Sequence, residues 1–104
     1  MLASFGALLG TVCRLEDVAG RLGGDEFGVL LPGTDLAGAR RFGERVVAAV
    51  RSHDAMSRRG VTASGGIAAW ALDELPDDLL RRADEALYAA KRGGGDIVVA
   101  DPTA

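Results

Sequence analysis

The stretch from Asp17 to Leu31, DVAGRLGGDEFGVLL, decides how this chain folds. Apolar residues occupy every second position after its paired glycines, at Phe27, Val29 and Leu31, and this alternation predicts a strand with one buried face. Two β-prone segments around a Gly-Gly turn predict a β-hairpin. Its parts are a strand over Asp17–Leu22, a turn at Gly23 and Gly24, and a strand over Phe27–Leu31.

Length and composition place the chain among small globular domains. It has 104 residues, of which 48% are hydrophobic and 26% charged, and these shares exclude a disordered chain. A net charge of -3 gives no electrostatic reason to expect a nucleic-acid partner or a membrane surface. The single cysteine, Cys13, excludes a disulfide framework and suits a cytoplasmic protein. No apolar run reaches the roughly 18 residues of a membrane segment.

Further elements are predicted on both sides of the hairpin from apolar residues at helical or alternating spacing. Helices are expected over residues 1–11, 36–51 and 79–92, strands over 61–69 and 96–100, and a loop over 53–60. Asp35 is expected to cap the second helix, and Lys91 and Arg92 to complement the end of the third. This order predicts an α/β sandwich with a mainly antiparallel sheet and helices packed on it.

Asp25 and Glu26, at the tip of the predicted hairpin, are the first candidate functional residues. Adjacent carboxylates supply the hard oxygen ligands that Mg²⁺ prefers, and phosphoryl transfer needs such an ion to neutralise triphosphate charge. Glycines without side chains let a nucleotide approach the backbone. The alternative is an ordinary polar hairpin, because Gly-Gly-Asp-Glu is favourable turn chemistry in any fold.

The segment GGDEF, residues 23–27, resembles the signature of the GGDEF domain, the catalytic module of bacterial diguanylate cyclases. Three companion motifs stand at the family's spacing. RLED at 14–17 is similar to RxxD, VTASGGIA at 61–68 to VTxSxGIA, and ADEALYAAK at 83–91 to ADxALYxAK. The resemblance covers essentially all 104 residues.

The resemblance implies a nucleotide-cyclase-like GGDEF fold and the condensation of two GTP molecules into cyclic di-GMP by a homodimer with Mg²⁺ (or Mn²⁺). Asp25 would be a metal ligand and the base for the 3′-hydroxyl, and Glu26 a second acid of the metal site. Gly23 and Gly24 would lie against the nucleotide, and Lys91 would reach the triphosphate.

The resemblance also implies an inhibitory site for the product, cyclic di-GMP, at Arg14, Asp17 and Arg45. Guanidinium groups suit phosphates and guanine edges, and a carboxylate suits the N–H donors of guanine. The alternative for Arg14 and Asp17 is a surface ion pair, which is common and contributes little.

Two departures from the family pattern stand at the ends of the chain. Residues 1–14 do not match the opening strand DxDxFKxxND, which supplies a metal-binding aspartate and the residues that read guanine. Gly95 stands where the family usually has the arginine of AKxxGR. We therefore expect residues 1–104 to be a partial, N-terminally truncated GGDEF domain without its first strand and helix, cut from a longer protein. We also expect no ladder between the hairpin and the strand at 61–69, and no appreciable activity alone.

Two further hypotheses stay open beside the cyclase. The chain could be a non-catalytic cyclic di-GMP-binding module that uses Arg14, Asp17 and Arg45, or a non-functional remnant with exposed strand edges. Several other residues are expected to have no functional role: His53 is predicted to be solvated, Cys13 to lie in or near the core, Trp70 and Tyr88 to pack, and Arg58 and Arg59 to lie in an exposed loop.

Overall fold

The computed structural model describes residues 2–101, which form four helices and two small two-stranded sheets. The helices are α1 (Leu2–Val12), α2 (Leu36–Ser52), α3 (Asp54–Arg58) and α4 (Pro76–Arg92). The strands are β1 (Val18–Gly23), β2 (Glu26–Leu30), β3 (Gly65–Ile67) and β4 (Val98–Ala100). The helical position predicted for Met1 lies outside the described residues.

The predicted hairpin is confirmed. β1 and β2 pair in antiparallel register, with Val18 opposite Leu30 and Arg21 opposite Phe27. The alternating apolar residues of the second strand face inward, and the Phe27 ring lies 5.0 Å from that of Phe5 on α1. Together with α1 and α2 they build one core cluster: Leu9, Phe42 and Val46 are buried, and Phe5, Val12, Cys13, Phe27, Val29 and Leu31 pack against them.

The prediction of one mainly antiparallel sheet is wrong for residues 2–101. β3 and β4 form a separate parallel pair, with Gly65 opposite Val98 and Ile67 opposite Ala100. The parallel direction follows from the connection, because α4 forms the crossover that parallel neighbours require. In the described chain no ladder joins β2 to β3, as the departure at residues 1–14 led us to expect. Both strands are shorter than predicted.

Two helices cover opposite faces of the β3–β4 sheet. On one face the side chains of Ile67 and Val98 approach Gly43 of α2. On the other face Gly66 lies directly against the backbone of α4, at Ala83 and Leu87. Because successive strand residues point to opposite faces, α2 and α4 enclose this small sheet between them. The helical layers of the predicted sandwich are therefore present.

The segment predicted as a loop over 53–60 contains α3, and His53 is its cap. The imidazole Nδ1 of His53 accepts a hydrogen bond from the backbone N–H of Met56 at 3.3 Å, so the prediction of a solvated histidine is wrong. Met56 is completely buried and joins Leu8 and Val50 in a second core cluster. A five-residue helix carries too little periodicity to be recognised from sequence.

The predicted cap of α2 and the predicted C-terminal cations of α4 are confirmed, while α4 begins three residues earlier than predicted. The Asp35 carboxylate accepts the Gly38 N–H at 2.8 Å and caps α2. α4 begins at Pro76 with two acids in its first turn and ends with Lys91 and Arg92 in its last. This arrangement complements the helix dipole at both ends.

Trp70 and Tyr88, which are predicted to pack, are both largely exposed. Trp70 is 67% exposed, and its indole N–H donates to the Glu74 carbonyl at 2.9 Å. Tyr88 is 64% exposed and lies beneath the guanidinium of Arg92. None of the helices within residues 2–101 combines the length and the apolar character that crossing a bilayer demands.

Candidate functional site

The acidic turn, residues 23–26, connects β1 to β2. Gly23 and Gly24 adopt φ angles of 148° and 52°, which side chains disfavour, so glycine is required here by backbone conformation. The regular register is interrupted between Arg21 and Gly23, and this bulge leads into the turn. Asp25 is exposed and Glu26 is half-buried at the start of β2.

The side chain of Arg21 forms hydrogen bonds to the backbone of the acidic turn. The guanidinium of Arg21 donates to the carbonyl oxygen of Gly24 from Nε at 3.0 Å and from Nη2 at 2.5 Å. Within residues 2–101, neither Asp25 nor Glu26 forms an ion pair. Both carboxylates are therefore available to an external cation.

The donor set of the acidic turn fits Mg²⁺. Protein sites for this ion commonly use one or two carboxylates together with substrate phosphates and water. Asp25 and Glu26 supply two such carboxylates on adjacent residues. The described part of the chain has no group of three or more candidate metal-ligating side chains, so phosphate and water oxygens would complete the coordination.

Lys91, the residue predicted to reach the triphosphate, lies on α4 and not on the hairpin. It is exposed in the last turn of α4, a helix that packs on β3 and β4. No hydrogen bond or ion pair among the described residues links Lys91 to Asp25 or Glu26. The structure therefore does not bring these three predicted site residues into contact.

Gly95, which stands where the family usually has an arginine, adopts a backbone conformation that favours glycine. Gly95 has a φ of 75° and is followed by Asp96 with a φ of 58°. The carboxylate of Asp96 accepts the Nε–H of Arg51 at 2.9 and 3.0 Å, which ties this loop to α2. An arginine at position 95 would have to adopt a left-handed backbone that side chains disfavour.

The second predicted site is a polar junction between α1 and β1. Arg14 donates to both carboxylate oxygens of Asp17, from its backbone N–H at 2.8 Å and from Nη2 at 3.1 Å. The same Nη2 donates to the hydroxyl of Thr34 at 2.6 Å and to the carbonyl of Pro32 at 3.3 Å. Arg14 is thus fixed by partners on both sides of the hairpin.

A groove of about 460 Å³ opens beside Arg14. Its walls are the segment after β2 and the first half of α2, and they contribute Leu31, Gly33, Thr34, Asp35, Gly38, Arg41, Phe42 and Arg45. The guanidinium of Arg45 lies 5.9 Å from the centre of the Phe42 ring, a cation–π contact. Three arginines therefore face one groove, and we call it the arginine groove.

The positive charges beside the arginine groove favour the ionised form of Asp17. The hydrogen bond from Arg14 lowers the pKa of Asp17 below its ordinary value, outweighing the opposite effect of desolvation, and Arg45 adds a smaller contribution. The Asp17 side chain is fully enclosed, whereas 46% of the Arg14 side chain is exposed. Asp17 therefore serves as the anchor, and Arg14 keeps a surface for an anionic ligand.

Apart from Lys91 on α4, the structure groups the predicted site residues into two places. Arg14 and Asp17 are in direct contact and Arg45 lines the same groove, while Asp25 and Glu26 stand on the acidic turn. Sequence reasoning missed Arg41 and Thr34. Arg41 had a signal, because residues four apart on a helix share a face and Arg45 was already a candidate. Thr34 had none, since its contact with Arg14 spans 20 positions.

The chain is similar to known proteins in sequence and in fold. The family model for the diguanylate cyclase GGDEF domain matches residues 1–96. Diguanylate cyclase DgcP of Pseudomonas aeruginosa is 42% identical over 86 residues, which are 80% of this chain and 13% of that protein.

Two solved structures are similar over nearly the whole chain. The GGDEF domain of DgcB from Caulobacter crescentus, in complex with c-di-GMP, is 28% identical with a TM-score of 0.85, covering 98% of this chain and 63% of that one. The active GGEEF domain of a diguanylate cyclase from Vibrio cholerae is 26% identical with a TM-score of 0.86, covering 99% and 67%. The present chain is thus shorter than either structure and far shorter than the Pseudomonas relative.

Proposed function

Because this chain belongs to the GGDEF family of diguanylate cyclases, we propose that it is the nucleotide-handling part of a cyclase that condenses two GTP molecules into cyclic di-GMP. The observation that carries the proposal is the acidic turn. There, two carboxylates without ion-pair partners in residues 2–101 stand beside glycines whose open surface leaves room for a nucleotide. In a homodimer, each protomer would present one GTP.

The residues of the acidic turn divide the proposed reaction between them. Asp25 and Glu26 hold Mg²⁺, which when bound neutralises triphosphate charge. Asp25 accepts the proton of the attacking 3′-hydroxyl. The oxygen of that hydroxyl forms a bond to the α-phosphorus of the opposite GTP, and the bond to pyrophosphate breaks. Lys91 binds triphosphate oxygens.

Binding of GTP with Mn²⁺, measured by electron paramagnetic resonance on the 104-residue chain, tests this proposal. We expect Asp25→Asn to weaken binding about tenfold or more, because it removes a charged metal ligand. Asp77→Asn, an exposed acid on α4, serves as the matched control and leaves binding unchanged. Equal binding by Asp25→Asn and the wild type would refute a metal role for the turn. We expect no appreciable cyclic di-GMP from the chain alone, and product formed from GTP and Mg²⁺ would overturn that expectation.

A second function, binding of cyclic di-GMP, is favoured by the arginine groove. Arg14 keeps an exposed surface while its other side is fixed by Asp17 and Thr34, so little side-chain order would be lost on binding an anion. Arg45 and Arg41 add two positive charges on the opposite wall. Planar guanidinium forks match phosphate oxygens and guanine edges. The three arginines of the groove suit an anionic ligand such as cyclic di-GMP.

Calorimetric titration with cyclic di-GMP tests the second function. We expect Arg14→Ala and Arg45→Ala each to weaken binding about tenfold or more, because each removes a charge-assisted contact of roughly 1.5–3 kcal/mol. Arg58→Ala, at an exposed arginine of α3 that does not line the groove, provides the control. Unchanged affinity in both groove variants would exclude this site.

A further inference from the structure

Packing does not fix the shape of the acidic turn. A methyl group at Gly23 or Gly24 would meet no atom within 4 Å, and β1 is exposed along its whole length. Glycine has more conformational freedom than any other residue, so an unpacked Gly-Gly pair leaves its positive-φ conformation readily. Gly23 is paired with Glu26 across the turn, but Gly24 and Asp25 lie outside this pairing and need another restraint.

Arg21 is placed to supply that restraint. Its backbone is anchored, because Arg21 stands opposite Phe27, whose ring packs on Phe5 in the core. Its side chain reaches forward over the bulge and donates from Nε and Nη2 to the single carbonyl oxygen of Gly24. Two donors from a rigid fork fix one oxygen more tightly than a single hydrogen bond does.

Arg21 could instead neutralise the acids of the turn, but the contacts argue against that role. In the described chain, no ion pair joins its guanidinium to Asp25 or Glu26. Its donors are directed to a backbone carbonyl. Arg21 therefore does not compete with a cation for the two carboxylates. The contact between Arg21 and the Gly24 carbonyl therefore restrains the backbone of the turn.

We infer that Arg21 is a positioning residue for the acidic turn. Through the Gly24 carbonyl it holds the glycine pair in its positive-φ conformation, and thereby the backbone of Asp25 and Glu26. The consequence for nucleotide binding rests on the proposed function. The restraint on the turn is a property of the chain itself.

Backbone ¹⁵N relaxation of the full 104-residue chain tests the restraint directly. We expect the Gly24 and Asp25 amides to show order parameters near 0.85 in the wild type and to fall to about 0.6 or below in Arg21→Ala. Arg21→Lys keeps one donor and gives intermediate values. Arg40→Ala, an exposed arginine of α2, is the control and changes neither amide. Unchanged order at Gly24 in Arg21→Ala would overturn the inference.

Binding of GTP with Mn²⁺ then separates this inference from the proposed function. With Asp25→Asn as the benchmark, we expect Arg21→Ala to weaken binding about tenfold or more and Arg21→Lys to restore part of it. If Asp25→Asn weakens binding and Arg21→Ala binds like the wild type, the positioning role of Arg21 is overturned. The proposed function then stands. No loss in Asp25→Asn refutes the proposed function, and the relaxation result then decides the role of Arg21.

Discussion

Arg14 beside the hairpin and Arg82 on α4 bind carboxylates in nearly the same way. Arg14 donates to Asp17 and to the Pro32 carbonyl, and Arg82 donates to Glu74 at 2.6 and 2.7 Å and to the Ala69 carbonyl at 2.6 Å. Their exposure differs: 46% of the Arg14 side chain is open to solvent, against 10% for Arg82. The same chemistry therefore leaves a guanidinium half exposed in one region and encloses an ion pair in the other.

The glycines of the two regions show the same contrast. Gly24 is required for its positive φ and faces open space, whereas Gly66 is required because α4 lies directly against it. At Gly24 the missing side chain leaves the backbone open to solvent. At Gly66 it lets β3 and α4 pack against each other. Substitutions should therefore destabilise the β3–α4 region far more than the hairpin.

The largest effect is expected at Gly66. A methyl group in Gly66→Ala would overlap backbone atoms of Ala83 and Leu87, which cannot rotate away. We expect the free energy of unfolding to fall by about 3 kcal/mol or more, or roughly 12 °C or more in Tm. Gly65→Ala is the control on the same strand, since its methyl would lie 3.4 Å from the nearest atom, a side-chain carbon of Val98. Equal destabilisation by both variants would contradict the close packing of α4.

Arg82→Ala is expected to come next, since it leaves the Glu74 carboxylate enclosed without its main partner. Removing one member of an enclosed ion pair is costly because the other charge stays desolvated. We expect Tm to fall by roughly 10 °C or more in thermal unfolding followed by circular dichroism. Arg81→Ala, which removes only exposed ion pairs on the same helix, should change Tm by about 3 °C or less. If Arg82→Ala lowered Tm by only about 3 °C, the Arg82–Glu74 pair would contribute no more to stability than an exposed surface pair.

The Arg82–Glu74 pair also predicts a dependence of stability on pH. Hydrogen bonds from Arg82, and then from the Ala71 N–H, lower the pKa of Glu74 from 4.5 to about 2. A lowered pKa stabilises the fold fully above about pH 4.5, and this contribution disappears as the pH falls towards 2. We expect the Tm difference between the wild type and Glu74→Gln to be constant above pH 5 and to shrink below pH 4.5. A difference that grows on acidification would contradict the assignment.

The smallest effect is expected at Gly24, in the open hairpin. Gly24→Ala forces a side chain into a left-handed conformation but meets no neighbouring atom, so we expect a loss of about 1 kcal/mol. Gly20→Ala on β1 meets no atom either and has no positive φ, and it should be close to neutral in denaturant unfolding. A loss at Gly24 as large as that at Gly66 would remove the contrast between the two regions.

Local signals predicted much of the fold and part of the candidate site. The alternation of Phe27, Val29 and Leu31 predicted the hairpin, because a strand with one buried face must alternate. The capping role of Asp35 depends on a residue only three positions away, so it too can be recognised in the sequence. The motif at 14–17 predicted the contact between Arg14 and Asp17 for the same reason.

Contacts between distant segments could not be predicted in this way. The donation from Arg14 to Thr34 spans 20 positions, and the tie between Arg51 and Asp96 spans 45. The parallel pairing of β3 with β4 depends on the path of α4, and three-residue strands carry no periodicity of their own. The cap formed by His53 requires a short helix that the burial of Met56 ties to the core.

The amino-acid sequence by itself determined the hairpin, the cap of α2 and the family, because each depends on neighbours along the chain or on motif spacing. Tertiary structure alone decided which charged groups stay accessible. Arg14 and Arg82 are equivalent as residues, but Arg14 borders a groove and Arg82 is enclosed with Glu74 between α4 and the loop after β3. The exposure of a side chain depends on which distant segments pack against it, and those contacts exist only in the folded chain.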